Sequence, residues 1–244
     1  MKNQPRQTGF TLVELLTVIV IISLLLTIIV PTISAIARGA YARKTAARIA
    51  TLETGISAFY EDAGRRFYPG QQDLKKLVGG DETGATQGPD IWTGSQWLAR
   101  SLFTKKTGVF PADFGAKSDP SYATFATDML VKDDPANYSD PAADTANMAI
   151  SDHFPDALAI CYYVSRPRRQ GLNQYMTGAD NIAYTDAAPN PANNTTTNFE
   201  GFITNPNFST AGNPIPFHDG EYLLIAPGID RKYFTTDDIT NWNR

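Results

Sequence analysis

The chain has 244 residues, 42% of them apolar and 19% charged, so it is long enough for one or two packed domains and is not a disordered tail. Its single cysteine, Cys161, excludes an intrachain disulfide, and an excess of acidic over basic side chains argues against nucleic acid as the main partner. Residues 67–244 hold 13 cations and 21 acids, whereas residues 31–66 hold six cations and three acids. A basic, apolar N-terminal arm therefore precedes an acidic body.

The apolar arm, residues 10–30, contains one charged side chain, Glu14. As a helix at about 1.5 Å per residue it is roughly 31 Å long, close to a hydrocarbon core of about 30 Å. Because Lys2 and Arg6 precede it, the N-terminus is expected to stay in the cytoplasm and the body to be exported. Three hydroxyl residues within the arm are expected to bond back to the helix backbone: Thr17, Ser23 and Thr27.

A secretory signal peptide is an alternative interpretation of this arm, and it would place small residues at a cleavage site after the apolar core. Here Gly9 precedes the core, and Glu14 lies five residues further on. A carboxylate at that depth is costly in lipid and normally has a partner or a role. Spacing alone leaves another interpretation open, in which Glu14 is an ordinary acidic residue near a helix N-terminus at the membrane interface.

The residues from Gly9 onward read GFTLVELL, and an apolar run ending at Pro31 follows them. This pattern resembles the class III signal of type IV pilins and type II secretion pseudopilins. The resemblance implies that a prepilin peptidase removes the leader, residues 1–9, and methylates the new amino group of Phe10. It also implies that Glu14 compensates this amino group on a neighbouring subunit. Pro31 is expected to kink or loosen the helix where it leaves the bilayer.

Beyond Pro31, in the segment 31–66, the pattern predicts an amphipathic stem helix that ends near Ala63, with Gly64 as its stop. Its apolar stripe would lie on a sheet and comprises Ile49, Leu52, Ile56 and Phe59. Four cations could meet anionic headgroups or neighbouring subunits, although each is more simply interpreted as part of a solvated face: Arg38, Arg43, Lys44 and Arg48.

The stretch that follows the stem contains Tyr60, Tyr68-Pro69 and a leucine-bearing short helix within 71–80, and it resembles the major pseudopilin subfamily. The resemblance implies an α+β, pilin-like fold, in which the long N-terminal helix packs on a small antiparallel sheet of the exported domain, residues 67–244. Since the subfamily's middle region is shorter, segments 80–156 and 165–215 are predicted to be insertions on the outer surface. Other patterns predict a helix at 91–103, strands at 157–164 and 221–226, and a loop at 187–198.

Three aspartates near the C-terminus could face one another within one loop: Asp230, Asp237 and Asp238. Calcium takes six to eight oxygen ligands, but the spacing is not that of an EF-hand. Spacing alone favours another interpretation, in which Thr236 or Asp237 caps a short helix that begins near Ile239.

Resemblance favours calcium instead, because major pseudopilins carry a C-terminal calcium loop after a tyrosine-containing strand. It assigns the three aspartates and the carbonyl groups of Pro227 and Thr235 as ligands, and it predicts that Trp242 packs beneath the loop. The chain departs from the subfamily at Pro227 and at Arg231-Lys232, where the loop is usually glycine-rich and more acidic.

An enzyme is the main alternative of another class, since His153 and His218 each adjoin an aspartate. The sequence contains no nucleophile elbow, HExxH, P-loop or Rossmann signature, so we expect no enzymatic activity. The resemblance implies a type II secretion pseudopilus subunit, with a type IV pilin or minor pseudopilin for adhesion, motility or DNA uptake as the alternative. Expected partners are further copies of the chain, other pseudopilins, prepilin peptidase, and an inner-membrane assembly platform with its ATPase. The expected location is the bacterial inner membrane, with the globular domain in the periplasm.

Overall fold

The computed structural model describes residues 12–76, 92–102, 122, 129–132, 148–175, 179–181 and 196–243. Their helices are α1 (Leu12–Asp62), α2 (Gly94–Leu102) and α3 (Thr196–Ile203), with short 3-10 helices at Gln71–Lys76, Gly171–Gln174 and Ala179–Asn181. The strands are β1 (Leu130–Lys132), β2 (Met148–Ile150), β3 (Cys161–Val164), β4 (Tyr222–Ala226) and β5 (Ile239–Thr240). The chain divides into two compact units, Met1–Ala40 and Tyr41–Arg244. The predicted α+β class, with a long N-terminal helix and a small antiparallel sheet, is confirmed.

Helix α1 ends one residue before the predicted position, and Gly64 is part of its stop. Gly64 has a φ of 67°. Its N–H donates to the Glu61 carbonyl at 3.0 Å, and the N–H of Arg65 donates to the Tyr60 carbonyl at 2.9 Å. These two bonds satisfy carbonyl groups that the helix end leaves without partners, and glycine adopts the left-handed conformation at little cost. The helical conformation continues through Pro31, whose backbone alone is described, so Pro31 does not end the helix.

The larger sheet has the antiparallel order β3–β4–β5. Cys161 pairs with Ile225 and Val164 with Tyr222, so β3 and β4 lie side by side over their length. The strand predicted at 157–164 is shorter than expected, and only an isolated bridge joins Ala159 to Ser151 before it. A separate two-stranded sheet pairs β1 with β2.

One face of the larger sheet packs against the stem part of α1. Three residues of the predicted stripe, Ile49, Leu52 and Ile56, are fully buried in one cluster with sheet residues, among them Tyr162 of β3. The fourth, Phe59, is partly buried against the same cluster. Full burial of one such aliphatic side chain contributes about 1.5–3 kcal/mol. The stripe is therefore the main apolar contact of the stem with the sheet, as its period of three and four residues predicts.

The opposite face of the sheet is also buried, and this corrects the prediction that the insertions lie on the outer surface. Because side chains alternate along a strand, Tyr163 points away from Tyr162. It packs with Phe199 and Ile203 of α3, which belongs to the segment 165–215. Helix α2, from the segment 80–156, is buried along its whole length. Its apolar residues Trp97, Leu98 and Leu102 belong to the cluster on the stem's face of the sheet, so α3 supplies the covering layer on the opposite face.

Buried polar contacts join α2 and the 3-10 helix at Ala179–Asn181 to the larger sheet. The side chain of Asn181 accepts from the Ser95 hydroxyl at 2.9 Å and donates to the carbonyl of Tyr162 at 2.8 Å. Arg166 and Asp180 form a bidentate ion pair at 2.5 and 2.7 Å, and neither side chain has any exposed surface. These bonds join segments that are distant in sequence, so each depends on the complete fold.

Arg48 is not a solvated cation, contrary to the simpler prediction for it. Its side chain is buried and donates to the carbonyl groups of Ser151 at 2.6 Å and Asp152 at 3.0 Å. The ring Nε2 atom of the neighbouring His153 lies 3.1 Å from the Arg48 guanidinium. The backbone N–H of His153 donates to the Thr45 hydroxyl at 3.1 Å. The stem part of α1 is therefore held to the segment after β2 by charge-assisted hydrogen bonds.

Candidate functional sites: the apolar helix and the aspartate loop

The first candidate site is the apolar surface of α1 between residues 12 and 30. Its large side chains are exposed throughout, with Leu12 at 79% and Ile28 at 62%. An 18-residue window of this helix has a mean hydropathy of 2.9 and no buried residue, which makes α1 long and apolar enough to cross a membrane. So large an exposed apolar surface requires a lipid or protein environment.

Polar groups within this surface are bonded to their own helix, as predicted. The hydroxyls of Thr17, Ser23 and Thr27 donate to backbone carbonyl groups four residues earlier, at 2.6, 2.7 and 2.8 Å. Such bonds remove the cost of placing a hydroxyl in lipid. Glu14 lies in the first turn of the helix and is exposed. The predicted cleavage site, Gly9 and Phe10, lies outside the described residues.

The second candidate site is the loop between β4 and β5, residues 227–238, which we call the aspartate loop. It brings the three predicted aspartates together, since Asp230, Asp237 and Asp238 each offer a carboxylate oxygen within 4.8 Å of the other two. The hydroxyl of Thr235 lies between them, 2.8 Å from Asp237, 3.1 Å from Asp238 and 3.4 Å from Asp230. One hydroxyl carries one proton, so it cannot donate to three carboxylates at once.

Two of these carboxyl groups have opposite electrostatic environments. Burial raises the pKa of Asp238 to about 8, although the backbone N–H of Phe234 donates to it at 2.7 Å. Partial burial acts in the same direction on Asp237, but hydrogen bonds from the Asp230 N–H and the Thr235 hydroxyl outweigh it and lower the pKa of Asp237. The loop thus places a carboxyl group whose neutral form is favoured by burial beside one whose ionised form is favoured by hydrogen bonds.

Backbone conformation and close packing fix the shape of the loop. Arg231 and Phe234 have φ values of 62° and 63°, in the left-handed region that non-glycine residues seldom adopt. A Cβ at Gly228 would overlap the backbone and carboxylate of Asp237, so only glycine fits there. The Tyr233 hydroxyl donates to the carbonyl of Ala159 at 2.7 Å and ties the loop to the sheet. A strained but braced loop can hold ligand groups at fixed positions.

Arg231, a departure from the subfamily pattern, points its charge away from the aspartates. Its guanidinium forms an ion pair with Asp152 at 2.5 Å, donates to the carbonyl of Asp156, and lies 4.6 Å from the centre of the Phe154 ring. The side chain therefore fastens the loop to the segment after β2. It does not neutralise the three carboxylates.

The C-terminal residues bear on two predictions, a short helix near Ile239 and the packing of Trp242 beneath the loop. Ile239 and Thr240 form strand β5, so the predicted alternative of a short helix beginning near Ile239 is wrong. Trp242 stacks on Phe217 with ring centres 5.0 Å apart and contacts Phe202, which in turn contacts Phe234 of the loop. The carbonyl group of Thr235, a predicted ligand, accepts the Asp238 N–H at 3.3 Å. Pro227, which carries the other predicted carbonyl ligand, is buried at the start of the loop.

The two histidines do not form acid-base pairs with their neighbouring aspartates. His153 lies against Arg48, and the Nδ1 atom of His218 lies 2.9 Å from Glu221. Asp152 is paired with Arg231, and Asp219 accepts the amide of Gln174 at 2.6 Å. Among the described residues, the ring nitrogens of the two histidines therefore contact Arg48 and Glu221.

Sequence reasoning missed two residues of the aspartate loop. It assigned a carbonyl ligand to Thr235 but not the central hydroxyl, and it interpreted Gly228 only as part of a strand end. The Pro227-Gly228 pair was a signal for a strand end, yet the close approach of Asp237 depends on the register of the folded loop.

Comparison with known proteins addresses the N-terminal segment. A family model described as the prokaryotic N-terminal methylation motif matches residues 4–30. This motif supports a type IV pilin-like class of protein, pseudopilins included. A pilin-like chain of this class is processed by prepilin peptidase and assembles into filaments, and its apolar helix indicates membrane anchoring. No curated protein and no solved structure matches the chain.

Proposed function

We propose that the chain is a structural subunit of a type II secretion pseudopilus, anchored in the bacterial inner membrane with its globular domain in the periplasm. The observation that carries the proposal is the continuity of the methylation motif, residues 4–30, with a helix whose apolar side chains are all exposed from residue 12 to residue 30. That surface is too large to remain in water, and the same helix suits lipid before assembly and a bundle of helices afterwards.

Assembly follows from this surface. After cleavage between Gly9 and Phe10, membrane-held subunits leave the bilayer and pack their apolar helices into a filament core, with an ATPase on the cytoplasmic side supplying the work through an assembly platform. In that core the new amino group of Phe10 needs a counter-charge, and Glu14 of a neighbouring subunit lies at the matching depth. The pair sets the axial register of the helices, because each charge is costly when it is alone in an apolar bundle.

Replacing Glu14 with alanine is expected to prevent filament assembly while leaving cleavage intact. An uncompensated buried charge costs about 3–5 kcal/mol, which weakens association by about a hundredfold or more. Processing is measured by the mobility shift of the cleaved chain, and assembly by the amount of sheared filament.

Thr17→Ala is the matched control, since it removes a polar group from the same segment whose hydroxyl bonds only within its own helix. It should assemble normally. Wild-type amounts of filament from the Glu14→Ala chain would refute the charge-pairing proposal.

We propose that the aspartate loop binds calcium as a cofactor of this subunit. Three carboxyl groups converge around the hydroxyl of Thr235, and one of them, Asp238, is buried. A hard divalent cation suits this donor set, and Asp230, Asp237 and Asp238 would bind it with the carbonyl groups of Pro227 and Thr235. When bound, calcium would supply positive charge that holds the loop closed on the sheet.

Calcium is expected to raise the stability of the full-length protein in detergent micelles. At 100 times its dissociation constant it would add about 2.7 kcal/mol, which corresponds to a rise of about 5–10 °C in melting temperature for a domain of this size. The measurement is a thermal melt in calcium and in chelator, together with calorimetric titration. Asp237→Ala should abolish the response, whereas Asp156→Ala, at an exposed aspartate outside the cluster, should retain it. Equal melting temperatures in calcium and chelator would refute the calcium proposal.

Deletion of the gene separates the pseudopilus from its alternative. Loss of exoprotein secretion with normal twitching motility supports a secretion subunit, and the reverse supports a type IV pilin. We propose no enzymatic role, because the described residues bring neither histidine into a catalytic arrangement with its neighbouring aspartate.

A further inference from the structure

Asp152 follows β2 and contacts both the stem part of α1 and the aspartate loop. Its carbonyl oxygen accepts from the guanidinium of Arg48, a stem residue, at 3.0 Å. Its carboxylate accepts from the guanidinium of Arg231, a loop residue, at 2.5 Å. One residue therefore lies between a side chain of the N-terminal helix and a side chain of the C-terminal loop.

The carboxylate of Asp152 organises the backbone around it, residues 151–158, which we call the junction. The Asp152 side chain has no exposed surface. Its Oδ1 atom accepts the backbone N–H groups of Phe154 and Leu158 at 3.2 and 3.3 Å, and its Oδ2 atom accepts from Arg231. A movement of this carboxylate would therefore displace backbone groups of the junction as well.

The position of this carboxylate depends on Arg231. Burial raises the pKa of Asp152, whereas the hydrogen bond and the charge of Arg231 act in the opposite direction and favour the ionised form. Without the Arg231 guanidinium a buried carboxylate would lose its counter-charge, and such a charge is costly to keep out of water. The junction is therefore expected to have two arrangements, one with Asp152 buried against Arg231 and one with Asp152 turned towards solvent.

Three bonds to the stem depend on the backbone of the junction. Arg48 donates to the carbonyl oxygens of Ser151 at 2.6 Å and Asp152 at 3.0 Å. The backbone N–H of His153 donates to the Thr45 hydroxyl at 3.1 Å. Since the junction contributes a backbone group to each of these bonds, an outward turn of Asp152 would weaken all three together.

Phe154 provides an apolar contact along the same path. The centre of its ring lies 4.6 Å from the guanidinium carbon of Arg231 and 5.8 Å from the ring centre of Tyr41, a stem residue. Arg231 thus contacts two junction residues, Asp152 and Phe154, and each of them contacts the stem.

We propose that the aspartate loop and the stem part of α1 are coupled through the junction, so that loosening of either one loosens the other. The coupling is reciprocal, because it is a free energy that the two elements share. A ligand that orders the loop would thereby hold the stem more firmly on the globular domain. Neither calcium binding nor the kind of filament enters this coupling, because the contacts of the junction involve none of the three clustered aspartates and no residue of the apolar arm.

Hydrogen–deuterium exchange of the full-length protein in detergent micelles, read by mass spectrometry, measures both ends of the coupling. Arg231→Gln is expected to raise the exchange rate of stem amides, residues 45–56, by about tenfold. Arg48→Gln should raise the exchange rate of amides in the loop, residues 227–238, by a similar factor. The double variant should exchange in the stem little faster than Arg48→Gln alone, because the junction is already released from the stem.

Lys232→Gln and Arg43→Gln are the matched controls, since each removes an exposed cation from the same loop or the same helix. Each should leave exchange in the other element as it is in the wild type. Melting temperatures, measured alongside, show whether each variant is folded.

Asp152→Asn keeps the test decisive if Arg48→Gln does not fold. It removes the charge that pairs with Arg231 and keeps the size of the side chain, and it should raise exchange in the loop and in the stem together. The proposal would be overturned by a rise in only one of the two, by unchanged stem exchange in Arg231→Gln, or by independent, multiplicative effects in the double variant. A rise of equal size in β3 and β4 would also overturn it, because that result indicates general destabilisation.

Discussion

Replacing Asp180 with alanine is expected to lower the free energy of unfolding by about 3–5 kcal/mol. Asp180 and Arg166 have no exposed surface, and removal of the carboxylate leaves a buried guanidinium without its counter-charge. Arg166 also donates to the carbonyl of Val164 at 3.1 Å, so its displacement would disturb the end of β3. For a unit of this size the melting temperature should fall by about 10 °C or more.

Tryptophan fluorescence of the full-length protein in detergent micelles measures this change during thermal unfolding. Glu61→Ala is the control, since it breaks an arginine–carboxylate pair whose two side chains are 70% and 58% exposed, and it should leave the melting temperature nearly unchanged. A second variant, Arg166→Met with Asp180→Leu, removes both charges and should recover much of the loss. If the Asp180→Ala variant has the same melting temperature as the wild type, the buried pair does not hold its segment on the sheet.

Replacing Gly228 with alanine is expected to disrupt the aspartate loop. The added methyl group would overlap the backbone of Asp237, which cannot move without separating the three carboxylates. Overpacking of this kind costs about 1–3 kcal/mol, and the calcium-dependent rise in melting temperature should be lost as well. Thermal melts in calcium and in chelator measure both effects.

Gly201→Ala is the matched control, because a Cβ at Gly201 meets no atom within 4 Å and the residue lies inside helix α3. It should leave the calcium response intact and raise stability by about 0.5–1 kcal/mol, since alanine favours a helix over glycine. A Gly228→Ala protein that responds to calcium as the wild type does would show that the loop tolerates the methyl group.

The sequence predicted those parts of the fold that depend on local periodicity or on a local motif. The spacing of Ile49, Leu52 and Ile56 identified the buried face of the stem, because neighbouring positions on one helix determine it. Gly64 identified the helix stop for the same reason. The three aspartates of the loop lie within nine residues of one another, so a single turn brings them together.

What the sequence could not predict depends on contacts between distant segments. Arg48 has the same local context as the solvated cations near it, and its burial depends on carbonyl groups more than a hundred residues away. The covering role of the segment 165–215 likewise depends on contacts of Phe199 and Ile203 with Tyr163 of β3, which lies more than thirty residues earlier in the chain. The short helix expected near Ile239 is instead a strand, because pairing with β4 outweighs local capping preference.

The side chain of Asn241 extends the sheet beyond the two residues of β5. Its amide oxygen accepts the Leu224 N–H at 2.9 Å, its amide nitrogen donates to the Tyr222 carbonyl at 3.4 Å, and its own N–H donates to the Leu224 carbonyl at 3.2 Å. The side chain therefore occupies backbone groups of β4 that would otherwise form an open sheet edge. Open edges recruit strands from other molecules, and subunits crowded in a membrane would meet one another often. By occupying these groups, Asn241 disfavours the addition of a foreign strand along this part of β4.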